Sequence, residues 1–180
     1  MADGMLTFII GGARSGKSSR AQALAESHDG VLVYLATAQA FDNEMRARIA
    51  RHQQDRDERW RTVECPIELP EAIAREAGAD RVLLVDCLTL WTSNLLLTDR
   101  DFAAASTCLL EALSTARSPV ILVSNEVGMG IVPDNALARQ FRDMAGRLNQ
   151  QVAAIADRAE LVVAGLVVPL KIDALEARFS

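Results

Sequence analysis

The sequence predicts a doubly wound α/β fold with a mostly parallel sheet, on the basis of its apolar runs and the segments between them. The chain has 180 residues, of which 50% are hydrophobic and 24% are charged, enough for one globular domain with a real core. Short apolar runs without polar alternation are typical of strands buried on both faces of a parallel sheet. Such runs occupy residues 6–10, 31–36, 82–85, 120–123 and 161–166.

Segments with helical patterns alternate with these runs, which predicts helices on both faces of the sheet. They cover residues 18–26, 43–59, 69–76, 101–115 and 135–157, and residues 88–97 are also helix-like. Two shorter patterns predict strands at residues 62–65 and 167–171, the second as an edge strand turning back from Val163. We expect one domain over residues 1–180, with a core over about 5–171 and a tail, 172–180, without an assigned role.

The most specific motif follows the first predicted strand and opens the first predicted helix. It reads Gly11-Gly12-Ala13-Arg14-Ser15-Gly16-Lys17-Ser18, a phosphate-binding P-loop in its required context. The glycines let backbone N–H groups approach a polyphosphate, while Lys17 reaches the β- and γ-phosphates and Ser18 binds Mg²⁺. Lysine is rare here, since the chain contains only Lys17 and Lys171. We therefore expect this domain to bind a nucleoside triphosphate.

Polar residues also follow other predicted strands at the points where those strands end. They are Thr37-Ala38-Gln39, Asp86 and Ser124-Asn125-Glu126. In a doubly wound sheet, ligands bind at the carboxyl ends of the strands, so we expect these residues to converge with the P-loop. Asp86 is placed to hold Mg²⁺ together with Ser18, and the alternative is that it caps the helix-like segment 88–97.

The predicted helix over residues 43–59 is unusually polar. Its thin apolar stripe is surrounded by arginines, so it cannot lie fully against a core and would cross solvent or close over a ligand. It contains His52, which on the residue pattern alone is an ordinary helix residue. The loop of residues 125–133 combines two glycines, an acid and a proline, and is either a simple connection or a substrate-recognition loop at the same sheet edge.

The composition of the chain limits the kinds of binding partner and the cellular compartment that we expect. The net charge of −5 argues against a nucleic acid or an anionic membrane as partner, because phosphate contacts dominate such binding. Cys65, Cys87 and Cys108 lack the spacing of a zinc site or a disulfide framework and are expected to be reduced, mostly buried thiols. We find no signal peptide and no apolar stretch near the ~18 residues of a membrane span, so the expected location is the cytoplasm.

Several ordered motifs together resemble the bifunctional family adenosylcobinamide kinase/adenosylcobinamide-phosphate guanylyltransferase of cobalamin biosynthesis. The resemblance covers nearly the whole chain and is far more specific than the P-loop alone. Besides the P-loop, it rests on Ala36-Thr37-Ala38-Gln39, Glu44-Met45-Arg46-Ala47-Arg48-Ile49-Ala50-Arg51-His52, Trp60-Arg61-Thr62-Val63-Glu64 and residues 125–133, and it extends through residues 141–150 to Gly165.

This resemblance implies that the protein phosphorylates adenosylcobinamide with ATP or GTP and then transfers GMP from GTP onto adenosylcobinamide phosphate. It also implies a covalent GMP-histidine intermediate on His52, chemically reasonable because a neutral imidazole nitrogen can attack phosphorus. It further implies nucleotide contacts from Thr37, Ala38, Gln39, His52, Glu64 and Asp86. The resemblance also implies a recombinase-like P-loop sheet and assembly as a homotrimer. Neither the trimer nor the preference for guanine follows from composition or spacing.

Two other classes of function compete with this interpretation. The first is a single-activity P-loop kinase of small molecules, in which His52 has no chemical role. The second is a non-catalytic nucleotide-binding protein of the recombinase type, against which the acidic charge and the lack of a basic, aromatic-interleaved stretch argue.

Overall fold

Seven strands form one sheet in the order β3-β2-β4-β5-β1-β6-β7 in a computed structural model, which describes residues 4–38 and 58–171. All neighbouring strands pair in parallel except β6 and β7, which pair antiparallel. The predicted doubly wound, mostly parallel fold is thus confirmed. The strands are β1 Leu6–Gly11, β2 Val31–Ala36, β3 Trp60–Glu64, β4 Arg81–Asp86, β5 Val120–Asn125, β6 Arg158–Val163 and β7 Leu166–Lys171.

The described helices lie on the two faces of this sheet unequally. They are α1 Lys17–Glu26, α2 Leu69–Glu76, α3 Leu88–Leu97, α4 Phe102–Thr115 and α5 Ala136–Ile155. Helix α1 buries Ala21 and Ala25 against one face, whereas α2 to α5 pack on the other around Trp91. None of the helices in the described ranges is long and apolar enough to cross a membrane.

Short polar side chains cap the N-termini of two helices, α4 and α5. The side chain of Asp101 accepts a 3.0 Å hydrogen bond from the Ala104 N–H and caps α4, and Asn135 caps α5 through the Ala138 N–H at 2.7 Å. Both residues were predicted inside their helices and instead lie just before them. This fits the preference of Asp and Asn for the N-cap position.

Two sequence predictions are wrong in detail. The apolar run 161–166 is not one strand, because β6 ends at Val163 and β7 begins at Leu166. Ala164 (φ 53°) and Gly165 (φ 79°) form the two-residue turn between them, and positive φ at both positions suits the twist of a tight hairpin. The helix predicted over 43–59 lies mostly outside the described residues, but it does not reach its predicted end, since Arg59 is in a turn before β3.

Candidate functional site

The P-loop connects β1 to α1 and leaves the start of that helix without a side-chain cap. Its N-cap is Gly16, with φ 100°, and no acidic residue lies in the first turn of α1. A helix N-terminus carries N–H groups without intrahelical partners and a partial positive charge. An uncapped N-terminus at the end of a buried strand is therefore a ready site for a phosphate.

The side chain of Lys17 is buried at the P-loop, although it carries a charge. It is 8% exposed, and its Nζ donates a 3.0 Å hydrogen bond to the carbonyl of Gly12. The ammonium is thereby folded back over the loop. This is the position from which a lysine contacts phosphates bound to the loop.

Close packing around the loop explains two of its glycines. A Cβ on Gly11 would lie 2.5 Å from the carbonyl oxygen of Val162 and 2.6 Å from the Ser15 hydroxyl. A Cβ on Gly16 would lie 3.3 Å from Cα of Gly165, whose N–H donates a 2.8 Å hydrogen bond to the Ser15 carbonyl. The turn between β6 and β7 therefore packs against the P-loop and is hydrogen-bonded to it. The sequence did not indicate this contact.

The Ser15 hydroxyl stands out among the polar atoms of the loop. It is the one buried side-chain N or O atom in the described part of the chain without a hydrogen-bond partner. Buried polar groups are nearly always paired, so an orphan hydroxyl in a phosphate-binding loop is consistent with a ligand that completes it.

The strand register brings the predicted acids to the same sheet edge as the P-loop. Ala36, the last residue of β2, pairs with Glu64 on one side and with Asp86 on the other, and Gly11 pairs with Asn125. Side chains alternate along strands. Since Ile9, Leu84 and Val123 pack against α1, we place Gly11, Asp86 and Asn125 on that face too.

Asp86 does not cap a helix. The N-cap of α3 is Cys87, in extended backbone and without a side-chain capping bond, so the capping alternative for Asp86 is wrong. The Asp86 carboxylate is half-buried and accepts no hydrogen bond from the described residues. Its oxygens therefore have the chemistry that a divalent cation needs.

The pKa of the Cys87 thiol is affected by burial and by both charged groups of the site. Burial raises the pKa of its thiol to about 11, with a smaller upward contribution from the Asp86 carboxylate and a downward one from the Lys17 ammonium. The amide Nδ2 of Asn125 contacts its sulfur at 3.8 Å. The buried thiol of Cys87 thus contacts Asn125 and is affected by the charges of Asp86 and Lys17.

Thr37 holds the ends of β2 and β4 together. Its hydroxyl donates to the Cys87 carbonyl and accepts from the Cys87 N–H, both at 2.8 Å. Its own carbonyl accepts a 2.8 Å hydrogen bond from Asn94 Nδ2. The described contacts of Thr37 therefore position Asp86, whereas its predicted contact with nucleotide stays a prediction.

The remaining predicted site residues are distributed as follows. Glu64 is exposed at the end of β3, Ala38 is half-buried just beyond β2, and Ser18 is half-buried in the first turn of α1. Gln39 and His52 lie outside the described residues. Sequence reasoning did not single out Glu160, a fully buried carboxylate that binds Arg20; a lone acid beside an apolar run was the available signal.

The fold and the site together assign this chain to the class of P-loop α/β proteins. A solved structure from Pyrococcus horikoshii OT3 superposes on 96% of this chain and 88% of its own with a TM-score of 0.57 and 7% identity, which supports the fold alone.

Sequence comparison then gives the family. The sequence model described as "Cobinamide kinase / cobinamide phosphate guanyltransferase" matches residues 7–170. The "Bifunctional adenosylcobalamin biosynthesis protein CobP" of Pseudomonas aeruginosa is 48% identical over 169 residues, covering 93% of this chain and 98% of the relative. The "Bifunctional adenosylcobalamin biosynthesis protein CobU" of Escherichia coli is 44% identical over 182 residues, covering 93% of this chain and 100% of the relative. The chain belongs to this family and is an enzyme, a kinase and guanylyltransferase.

Proposed function

We propose that this enzyme phosphorylates adenosylcobinamide and then transfers GMP to the product, with ATP or GTP as phosphate donor. The observation that carries the proposal is the convergence of an uncapped P-loop helix, Lys17 and Asp86 at one sheet edge in a member of this family. The enzyme would act in the cytoplasm, where nucleotides are available and its thiols stay reduced.

In the kinase step, the substrate hydroxyl oxygen bonds to the γ-phosphorus of the triphosphate. The bond from that phosphorus to the bridging oxygen breaks, the nucleoside diphosphate leaves, and one proton passes to the solvent. The loop N–H groups and the Lys17 ammonium stabilise charge on the phosphate oxygens in the transition state.

Ser18 and Asp86 are the residues that would hold Mg²⁺. A hydroxyl and a carboxylate are oxygen ligands of the kind Mg²⁺ takes, alongside phosphate oxygens and water. Phosphate oxygens and water would complete the coordination of the metal. Bound Mg²⁺ would neutralise charge on the triphosphate.

In the guanylyl step, His52 would act as the nucleophile. An imidazole nitrogen bonds to the α-phosphorus of GTP, pyrophosphate leaves, and a phosphoramidate forms. A phosphate oxygen of adenosylcobinamide phosphate then bonds to that phosphorus, the P–N bond breaks, and His52 is released. Support for this role comes from the Arg-Ile-x-x-His motif of residues 48–52.

The test uses α-labelled GTP with Mg²⁺ on wild type, His52→Ala and His28→Ala. We expect wild type and His28→Ala to retain label, lost in acid and stable in alkali as for a nitrogen-linked phosphate, and His52→Ala to retain none. His28 is the matched control, because it is the other histidine and lies after the far end of α1.

Kinase activity, followed separately with adenosylcobinamide, should persist in His52→Ala, because γ-phosphoryl transfer depends on the P-loop. Label retained in His52→Ala would place the nucleophile elsewhere. A wild-type enzyme that phosphorylates substrate but never takes up label would instead be a single-activity kinase.

We also propose that the enzyme works as a homotrimer. In support, all six residues of the edge strand β7 are exposed, and the loop before α5 presents Met129 at 80% and Ile131 at 97% exposure. Exposed edge strands and apolar patches are typical of surfaces that another chain covers. Sedimentation equilibrium should give three times the chain mass, and a purely monomeric species would refute the assembly.

A further inference from the structure

Asn125 ends the strand that separates the P-loop strand from the Asp86 strand. Strand β5 lies between β1 and β4, and neighbouring strands are about 4.8 Å apart, so Asn125 stands midway across a gap of roughly 10 Å. Its register partner on β1 is Gly11, and Asp86 pairs with Val123, two residues before it. A ligand that reaches from the P-loop to Asp86 would therefore pass Asn125.

The backbone of Asn125 is fixed by buried side chains from the opposite face of the sheet. Its N–H donates a 2.7 Å hydrogen bond to the Thr89 hydroxyl, and its carbonyl accepts one from Asn149 Nδ2 at 3.4 Å. Ser124 links these two, because its hydroxyl donates to Asn149 Oδ1 at 2.7 Å and lies 3.2 Å from the Thr89 hydroxyl. The Glu126 N–H adds a 3.0 Å bond to the Gly11 carbonyl. These hydrogen bonds hold the backbone around Asn125 both to β1 and to the helices on the opposite face of the sheet.

The side chain of Asn125, in contrast, has little to bind in the described part of the chain. There, its Nδ2 approaches Cys87 Sγ at 3.8 Å, and sulfur is a weak acceptor. A carboxamide has two N–H donors and an oxygen acceptor, so most of its capacity is unused there. A rigid backbone carrying an underused amide is the arrangement expected of a ligand-binding residue rather than of a structural one.

We propose that the Asn125 amide donates a hydrogen bond to the γ-phosphate of the bound triphosphate and positions that group for attack by the substrate hydroxyl. The bonds made and broken are those of the kinase step, with the oxygen–phosphorus bond formed, the nucleoside diphosphate expelled and one proton released. Asn125 thereby distinguishes a nucleoside triphosphate from a diphosphate. This inference rests on the proposed nucleotide site.

The experiment measures binding of Mg²⁺-ADP and of the Mg²⁺ complex of the β,γ-imido analogue of ATP by calorimetry, together with kcat and KM of the kinase reaction. We expect Asn125→Ala to bind the triphosphate analogue about tenfold more weakly and ADP unchanged. Its kcat should fall by roughly 10²-fold, as for loss of one donor to a transition state, with KM for adenosylcobinamide unchanged. Asn125→Asp, which has the same shape but places a negative charge opposite the phosphate, should lose more affinity for the analogue than Asn125→Ala.

Asn135→Ala is the matched control, because it removes an amide that caps α5 through the Ala138 N–H. It should lower the melting temperature without changing the ratio of the two affinities. Equal losses for ADP and the analogue in Asn125→Ala, or no loss for either, would overturn the inference. Failure of the nucleotide site itself would show differently, as unchanged binding of both nucleotides in Lys17→Ala.

Discussion

Two hydrogen bonds join the guanidinium of Arg20 to the carboxylate of Glu160, from Nε to Oε2 at 2.9 Å and from Nη2 to Oε1 at 2.8 Å. Arg20 lies in the first turns of α1 and Glu160 in the middle of β6, so this pair fixes the helix that follows the P-loop to the strand beside β1. Arg158 adds a 2.8 Å bond to the same carboxylate. The hydrogen bonds and charge of Arg20, helped by Arg158, lower the pKa of Glu160.

We expect Glu160→Gln to destabilise the protein at neutral pH and much less in acid. A carboxylate with a lowered pKa contributes stability above its unfolded pKa of about 4.3, and this contribution is lost as the pH falls through the folded pKa. The loss at pH 7 should be about 2 kcal/mol, below the usual value for a broken buried pair because both arginines are partly exposed and can rehydrate.

Urea unfolding of wild type and Glu160→Gln at pH 7 and pH 3 measures this difference. Asp143→Asn is the control, since it removes an exposed ion pair with Arg142 and should change stability little. A deficit of equal size at both pH values would mean that the carboxylate charge is not what stabilises this contact.

Gly16→Ala should destabilise the P-loop more than Gly12→Ala does. Gly16 has φ 100°, where a side chain is strained, and a new Cβ would press on the backbone of Gly165 at 3.3 Å. A Cβ on Gly12 would meet nothing within 4 Å. We expect a cost of about 1–3 kcal/mol for Gly16→Ala and little for Gly12→Ala, measured as thermal stability without nucleotide. Equal melting temperatures for the two variants would contradict both the strain expected at Gly16 and its contact with Gly165.

The sequence predicted those parts of the site that are encoded locally. The P-loop was predictable because strand, loop and helix are contiguous, and the strands ending at Ala36 and Asp86 because apolar runs buried on both faces need no partner to be recognised. The clamp between Thr37 and Cys87 spans 50 positions and the pair of Arg20 and Glu160 spans 140, so neither leaves a local pattern. The run 161–166 misled for a related reason, since the turn residues Ala164 and Gly165 interrupt it without a polar break.

Asp86→Asn should weaken the response to Mg²⁺ without lowering stability. Because Cys87 is the N-cap of α3, the substitution leaves that helix end untouched, and it removes only the charge that Mg²⁺ binding needs. We expect the Mg²⁺ concentration for half-maximal kinase activity to rise about tenfold or more, in line with the loss of one metal contact.

Asp29→Asn, an exposed carboxylate beyond the far end of α1, serves as the control for a lost negative charge. It should leave the Mg²⁺ titration unchanged. Identical titrations for wild type and Asp86→Asn would remove Asp86 from the metal site.

The three thiols should differ sharply in reactivity, because their surroundings differ. The structure leaves all three without a disulfide, with Cys108 exposed on α4 and Cys65 and Cys87 buried. Burial raises the pKa of Cys65 to about 12 and that of Cys87 to about 11, so both thiols are protonated and shielded at pH 8, whereas Cys108 is open to reagents. Only the thiolate reacts, so at pH 8 a disulfide reagent should label one thiol per chain rapidly and two slowly.

The same shift makes stability depend on alkaline pH. Folded Cys87 keeps its proton up to about pH 11, while the unfolded thiol loses it near pH 8.5, so the unfolded state gains and stability falls between these values. Cys87→Ala should therefore flatten the decline of unfolding free energy over that range, although the slope from Cys65 remains.

Mg²⁺-ATP should slow the labelling of Cys87 further, because its sulfur contacts Asn125 and is affected by the charges of Asp86 and Lys17. Cys108→Ser should abolish the rapid phase; a rapid phase that survives would show that Cys65 or Cys87 is accessible to the reagent, against the burial of both.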